Sequence, residues 1–524
     1  MAVDFDMLHS MFDSEGYRSA ELARRMELEG FWKFYDGDHK RFLKTRLDGV
    51  DDNVVINFCG VLIDRSVSRL FGDSVRGDLV KMDVRDKAEK DLETAKLEEG
   101  EKSTSGKDSR EVEAREFLNA IFDRSGGLQK VYNRIGVYGA VGGHYFIKLL
   151  MEDDGPRVVI LDPSITSILV MPDDRDKVLA YKVEYETMRK DTHGKIMDAT
   201  FRQITGYDPD TGGWEVADFV RLNHAQEDNP DSSKSLDDTS SRPKWVQENE
   251  TDVWEVCPIM DGQNLPNAND VYGKSDMDNV TGLNDEINFL MSNVNKIVRF
   301  QGHPRTIGIG VDASGIQETA IENFWSIPGA TPDEAEVFNL EMKSDLAAIF
   351  GFFQVIREAF WTIGREADPA TFKEKIGNVT NFGLRVLFLD ALNKLGQKRQ
   401  SYGPALVRLV ESLFNLGSFD GMTVDILWGD PLPSDPREAV ETLTIEHDLG
   451  IVSKETAAQE RGRNWMEEEQ RISKEREEEE SVNTKFMRNM QRGDPNSMPT
   501  NMPAGMRGQN EGKSTQNRTP SSNV

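Results

Sequence analysis

The residues that could do chemistry are few and scattered. Gly273-Lys274-Ser275 ends like a phosphate loop, in which backbone N–H groups cradle phosphate and the lysine reaches it. Ala268 stands where that loop needs its first glycine, and no apolar strand precedes it. Gly308 and Gly310 are a lone Gly-x-Gly without the rest of a dinucleotide fingerprint. No two of the 7 histidines stand four apart, and His144, His303 and His447 fit no metal-ligand spacing. Acids cluster at 467–469 and 477–480, but Arg and Lys are interleaved with them, the pattern of a solvated helix face. A Gly-x-Ser-x-Gly elbow is absent. Cys59 and Cys257 lie among apolar residues with no partner at metal spacing, which suits small core residues in a reducing compartment. The residues alone argue against an enzyme and name no cofactor and no metal.

Among the elements, the clearest pattern lies in the stretch 273–299. Val280, Leu283, Ile287, Leu290, Val294 and Ile297 recur at three- and four-residue steps, one stripe of a helix. Ser275 and Asp278 are available as N-caps. Leu346, Ile349, Phe353, Ile356, Phe360 and Ile363 repeat the rhythm, so the pair predicts an antiparallel helical hairpin with facing seams. The remaining faces carry Asn279, Asn284, Asn288 and Asn295 on the first helix, and Gln354, Arg357, Glu358 and Arg365 on the second. A hairpin in the core of an ordinary enzyme fits this pattern as well.

A chain of 524 residues has room for two to four domains. Its net charge of −29 excludes a generally basic nucleic-acid binder. The acidic N-terminus does not read as a signal peptide, and no apolar run approaches the roughly 20 residues of a membrane span. A soluble protein made inside the cell is expected. In chain order, 17–35 predicts a helix with Leu22 and Met26 on one side and Leu28 off that stripe. FWKFYDGDH packs aromatics before a turn. A helix over 53–71 stops at Gly72, with Asp64, Arg65 and Arg69 pairing on its surface. The charged stretch 81–112 reads as a mobile insertion. Helices follow at about 113–124 and 128–138, then short β-rich segments from Tyr145 to about 222 and a polar break at 225–244. Between the long helices, strands at Thr306 to Val311 and Glu336 to Leu340 flank a short helix at Ser314 to Asn323. Beyond them, a helix from about Leu384 to Arg399 is interrupted at Gly403-Pro404, and a further helix ends at Gly417. TVDILW is a strand. Capped helices begin after Asp435 and Ser453, a charged helix follows, and 481–524 has a disordered composition.

Four passages, in this order, resemble the portal (head–tail connector) proteins of tailed double-stranded DNA bacteriophages. They are FWKFYDGDH, NVVINFCGVLIDRSVSRLFG, CPIMDGQN with GKSDMDNVTGLNDEINFLMSNV, and TVDILWGDPLPSDPREAVETLTIEHDLGIVSKETA. Together they span about 15–480. VTNFG departs from the family where a Ser-Gly pair is expected before the long helix.

The resemblance implies an α+β, mostly helical subunit of a closed ring of about twelve copies around a DNA channel. The wing would comprise 1–272 and 384–433, and the stem helices 273–300 and 344–366. A small αβ clip would occupy 301–343, a tunnel loop 367–383, crown helices 434–480, and a disordered tail 481–524. Lys373, Lys375, Asn378 and Asn381 would face DNA in the tunnel loop. The stem seam would be Leu283, Ile287, Leu290, Val294, Phe353 and Phe360. Implied partners are double-stranded DNA, the terminase packaging motor, the head–tail adaptor, and the major capsid and scaffolding proteins, with no membrane. The place is the portal vertex of the virion, after assembly in the host cytoplasm. Two other readings fit the residues alone: an intracellular helical scaffold or adaptor without a DNA role, and a metal-dependent hydrolase using scattered acids.

Overall fold

Helix starts in this chain follow capping chemistry. The Asp4 carboxylate accepts from the Met7 N–H at 3.0 Å and opens α1 (Phe5–Phe12). α2 (Glu15–Asp36) stops at Gly37, whose φ of 80° lies in the left-handed region. Asn57 accepts from the Gly60 N–H at 2.8 Å and opens α3 (Phe58–Phe71). α4 (Ser109–Arg124) and α5 (Leu128–Gly142) come next. After the main sheets come α6 (Thr281–Gly302), α7 (Leu346–Ile363), α8 (Asn381–Leu387) and α9 (Leu389–Leu416). α10 (Pro436–Asp448) and α11 (Lys454–Glu460) follow, and Ser453 caps α11 by accepting from the Thr456 N–H at 3.1 Å. The computed structural model describes residues 3–39, 53–73, 77–87, 109–190, 196–222, 245–302, 305–309, 324–327, 336–340, 346–368, 381–432, 436–460, 465, 468–469 and 471–474. Met1–Leu432 and Pro433–Val524 are two compact units, with α10 and α11 in the second.

The β-rich segments form antiparallel sheets. Among the described residues the largest runs in the order Val246–Gln247, Trp214–Leu222, Ile196–Tyr207, Asp174–Lys190, Thr166–Met171, with Asp252–Trp254 also on Trp214–Leu222. A second sheet orders Ile259–Gln263, His144–Glu152 and Gly155–Leu161. Val158 and Ile160 of the last strand are buried two apart, the period of a half-buried strand. A third small sheet lies between α6 and α7 in sequence. There Arg305–Ile309 pairs in parallel with Phe324–Ile327 and antiparallel with Glu336–Leu340.

The main core gathers α3, α4, α5 and α9 around His144–Glu152, with Leu62, Tyr132, Ile135, Ile147, Leu409 and Phe414 buried in it. Gly139 lets α5 approach α9, since a Cβ there would run into the Tyr402 hydroxyl. Tyr402 stacks on Tyr145 with ring centroids 4.2 Å apart.

Several elements depart from the sequence pattern. In α2, Leu28 faces the core, whereas Leu22 and Met26 are exposed. The start of the expected insertion, Val80–Asp86, is a strand paired along its length with Met422–Trp428. Val80 and Val84 enter the core between charged neighbours, which hides the strand in the composition. α5 runs on through its glycines, which serve close packing rather than a stop. α9 passes through Pro404 without ending. The ring removes one backbone donor, but Tyr402, Ala405, Leu406 and Leu409 bury that stretch and hold it helical. Arg69 makes no surface pair, because its partner Glu366 is buried. By length and composition alone, α7 is long and apolar enough to cross a membrane, and only 17% of it is buried. Arg357 and Glu358 break its apolar run short of the roughly 20 residues of a membrane span. The helix expected at Ser314 to Asn323, the break at 225–244 and the tail 481–524 lie outside the described residues.

Candidate assembly interface

Two asparagines of α6 are turned inward, whereas Asn279 of the expected polar face is exposed and Asn295 half-buried. Asn284 and Asn288 are both fully buried. Their Oδ1 atoms accept from the backbone N–H groups of Phe58 at 3.0 Å and Ile56 at 2.7 Å. One turn further on, Ser292 Oγ accepts from the Val54 N–H at 3.0 Å. Alternate residues of an extended chain are about 6.6 Å apart, and residues four apart on a helix rise about 6 Å. Side chains at 284, 288 and 292 therefore match the N–H groups at 58, 56 and 54, antiparallel, like a sheet edge built on a helix. His39 completes the ladder: Nδ1 accepts from Asn284 Nδ2 at 3.1 Å and Asn288 Nδ2 at 2.7 Å, and Nε2 donates to the Phe34 carbonyl at 3.1 Å. That arrangement requires the neutral ring with its proton on Nε2.

A second polar cluster ties the ends of the long helices to α3 and α9. Asp276 is buried, and Lys398 Nζ donates to its Oδ2 at 2.6 Å and to Ser66 Oγ at 2.8 Å. Lys394 Nζ lies 3.5 Å from Asp276 Oδ1 and donates to the Gly364 carbonyl at 3.1 Å. Asn264 Nδ2 donates to Asp276 Oδ1 at 3.0 Å, and Asn264 Oδ1 accepts from the Tyr402 hydroxyl at 3.0 Å. Burial alone would raise the Asp276 carboxyl, but the charges of Lys394 and Lys398 hold it well below the usual carboxylate range. Burial brings Lys398 down to about 8 against the pull of Asp276. Glu366, just past α7, pairs with Arg69 of α3, and Arg357 reaches Asp368 at 2.5 Å. The Gly273-Lys274-Ser275 turn serves this joint, since Ser275 Oγ donates to the Ala140 carbonyl at 3.0 Å.

Of the expected seam residues, Ile287, Val294 and Phe360 are buried, and Leu283, Leu290 and Phe353 pack half-buried against the same core as Ile287 and Phe360. Apolar side chains on several sides of the pair are bare, Ile363 of the expected stripe among them. On α7, Phe350, Phe352, Val355 and Ile363 are 45%, 51%, 60% and 49% exposed. On α6, Phe289 and Val298 are likewise exposed. Lys373, Lys375 and Asn378 lie outside the described residues, and Asn381 opens α8. The ladder and the Asp276 joint were not among the expected sites. The spacing Asn284-x3-Asn288-x3-Ser292 is the signal that marks the ladder, and Asp276 carries none beyond its place in the Gly-Lys-Ser-Asp turn. Among the described residues no group of three or more His, Cys, Asp or Glu could hold a metal ion. Burial pushes the Cys59 and Cys257 thiols up to about 12, which leaves neither a thiolate at neutral pH.

Against known proteins, the model of the family "Phage portal protein, SPP1 Gp6-like" matches residues 17–482. The chain belongs to the phage portal family. This family is structural rather than enzymatic. No curated protein matches the portal chain. Solved structures similar to it come from gene transfer agent particles. One is the neck of an empty particle computed with C6 symmetry, 11% identical with a TM-score of 0.39, over 81% of this chain and 93% of that one. Another is the virion of a native particle, at 13% identity and TM-score 0.35 over 67% and 84%. A third is the neck of a native particle computed with C12 symmetry, at 12% and 0.34 over 76% and 89%.

Proposed function

We propose that copies of this chain close into a ring of about twelve at one capsid vertex, and that double-stranded DNA enters and leaves through its channel. The observation that carries this reading is the bare apolar side chains of Phe352, Val355 and Ile363 on α7, together with Phe289 of α6. Completing the burial of each half-exposed side chain is worth about 1 kcal/mol, half the value for full burial. A neighbouring copy supplies that cover at every subunit of a heterologous ring, where each interface joins two different faces. α6 and α7 then form the stem, 301–343 the clip that docks the terminase motor and later the head–tail adaptor, and α10 and α11 part of the crown. The wing would meet the capsid and scaffolding proteins during assembly in the host cytoplasm. The net charge of −29 suits a conduit, because a polyanion slides past an acidic wall without being held. Lys373, Lys375 and Asn378 of the tunnel loop, with Asn381 at the start of α8, make passing phosphate contacts.

Phe352→Asp with Val355→Asp tests the interface. Both positions are exposed in the single chain, so the variant is expected to fold and remain monomeric in native mass spectrometry. A variant that still forms the wild-type particle would remove the α7 face from the interface.

A further inference from the structure

The polar ladder sits beside an ambiguous apolar stripe. At about 100° per residue, Leu283, Ile287, Leu290, Val294 and Ile297 cluster on one side of α6, and Met291 and Val298 lie only about 60–80° from Leu283. Turning the helix by that angle would still offer the core an apolar row. Apolar packing, which is non-directional, leaves the rotational phase of α6 loosely set. Asn284, Asn288 and Ser292 sit about 100–180° round from Leu283, and each is bonded to a fixed backbone N–H. The same turn would pull all three away and leave half-buried donors at 54, 56 and 58 without partners. Phe289 lies about 240° from Leu283, on the side left outward.

We propose that the Asn284–Asn288–Ser292 ladder, with His39, sets the rotational phase of α6 and so fixes which face, centred on Phe289, meets the next copy. The angle between copies, and with it the subunit number, follows from that phase. This rests on the ring reading above. A buried polar contact acts here as it does in a coiled coil, where one asparagine selects register and oligomer state.

The test uses the full-length chain with Asn284→Ala/Asn288→Ala, and Ser292→Ala alone as a milder variant. Amide hydrogen exchange at Val54, Ile56 and Phe58 reads the ladder without reference to the ring, and native mass spectrometry reads subunit number. Expected are exchange at least about tenfold faster at those amides and a spread of subunit numbers where the wild type has one. For Ser292→Ala the effect on exchange centres on Val54. Faster exchange with an unchanged single subunit number would overturn the proposal, as would unchanged exchange. A wild type that never forms rings would defeat the ring reading itself, while the exchange data would still judge the ladder.

Discussion

Replacing Asp276 by Asn keeps the shape of the joint and removes the carboxylate that Lys394 and Lys398 contact. The two lysines are 3% and 1% exposed, so solvent cannot take over. Breaking a buried ion pair on one side costs about 3–5 kcal/mol. An independent bound comes from letting a lysine lose its proton. From an unfolded pKa near 10.4, neutralising it at pH 7 costs about 4.6 kcal/mol, and at pH 9 about 2 kcal/mol. The loss should therefore be large at pH 7 and clearly smaller at pH 9. For a unit larger than 250 residues, where each kcal/mol moves Tm by no more than about 2–4 °C, a fall of about 5–10 °C at pH 7 is expected by calorimetry. In the wild type, Lys398 has its folded pKa lowered to about 8, so the unfolded chain binds more protons between there and about 10.4, and stability rises across that window. Asp276→Leu with both lysines changed to Met should recover most of the loss, because apolar isosteres leave no charge unpaired. A Tm for Asp276→Asn within about 1 °C of wild type at pH 7, or an equal loss at pH 7 and pH 9, would refute the reasoning.

Burial, aided by Arg202, lowers His9 from 6.5 to about 4. The unfolded chain then binds the extra proton between those values, so stability present above pH 6.5 should be lost as pH falls toward 4. His9→Asn should flatten Tm against pH in that window, and an unchanged slope would rule His9 out. Gly139→Ala should destabilise by about 1–3 kcal/mol because its Cβ meets the Tyr402 hydroxyl. Gly282→Ala, which meets nothing within 4 Å on exposed helix, should stabilise by about 0.5–1 kcal/mol; equal Tm shifts for the two would contradict the packing argument. Lys373→Glu with Lys375→Glu should leave the particle intact and slow DNA packaging, and an unchanged rate and packaged length would sink the tunnel-loop assignment.

How much was legible in the sequence depends on whether a local rule decides. α6 and α7 are readable because their seams keep helical period for several turns. Ser453 caps the helix it precedes, and Gly37 ends α2, for equally local reasons. Pro404 misleads because tertiary burial on both sides outweighs one lost hydrogen bond. Val80–Asp86 is missed because its partner strand lies more than three hundred residues later. The asparagines of α6 are visible as a repeat, but their partners are backbone groups at 54, 56 and 58, in a stretch expected as the start of a helix that begins only at Phe58. Lys394 and Lys398 look like surface lysines until Asp276 is folded beneath them. In each missed case the deciding partner is distant in sequence, where composition and spacing have nothing to report.

Imaging the purified full-length particle by electron cryomicroscopy tests the central claim most directly. The ring account predicts a closed ring of about twelve chains, near 0.7 MDa for chains of 59.1 kDa, with a central channel. Phe352 and Val355 of each copy should be buried against the next. A monomer at every concentration, or a ring in which the α7 face stays open to solvent, would contradict it.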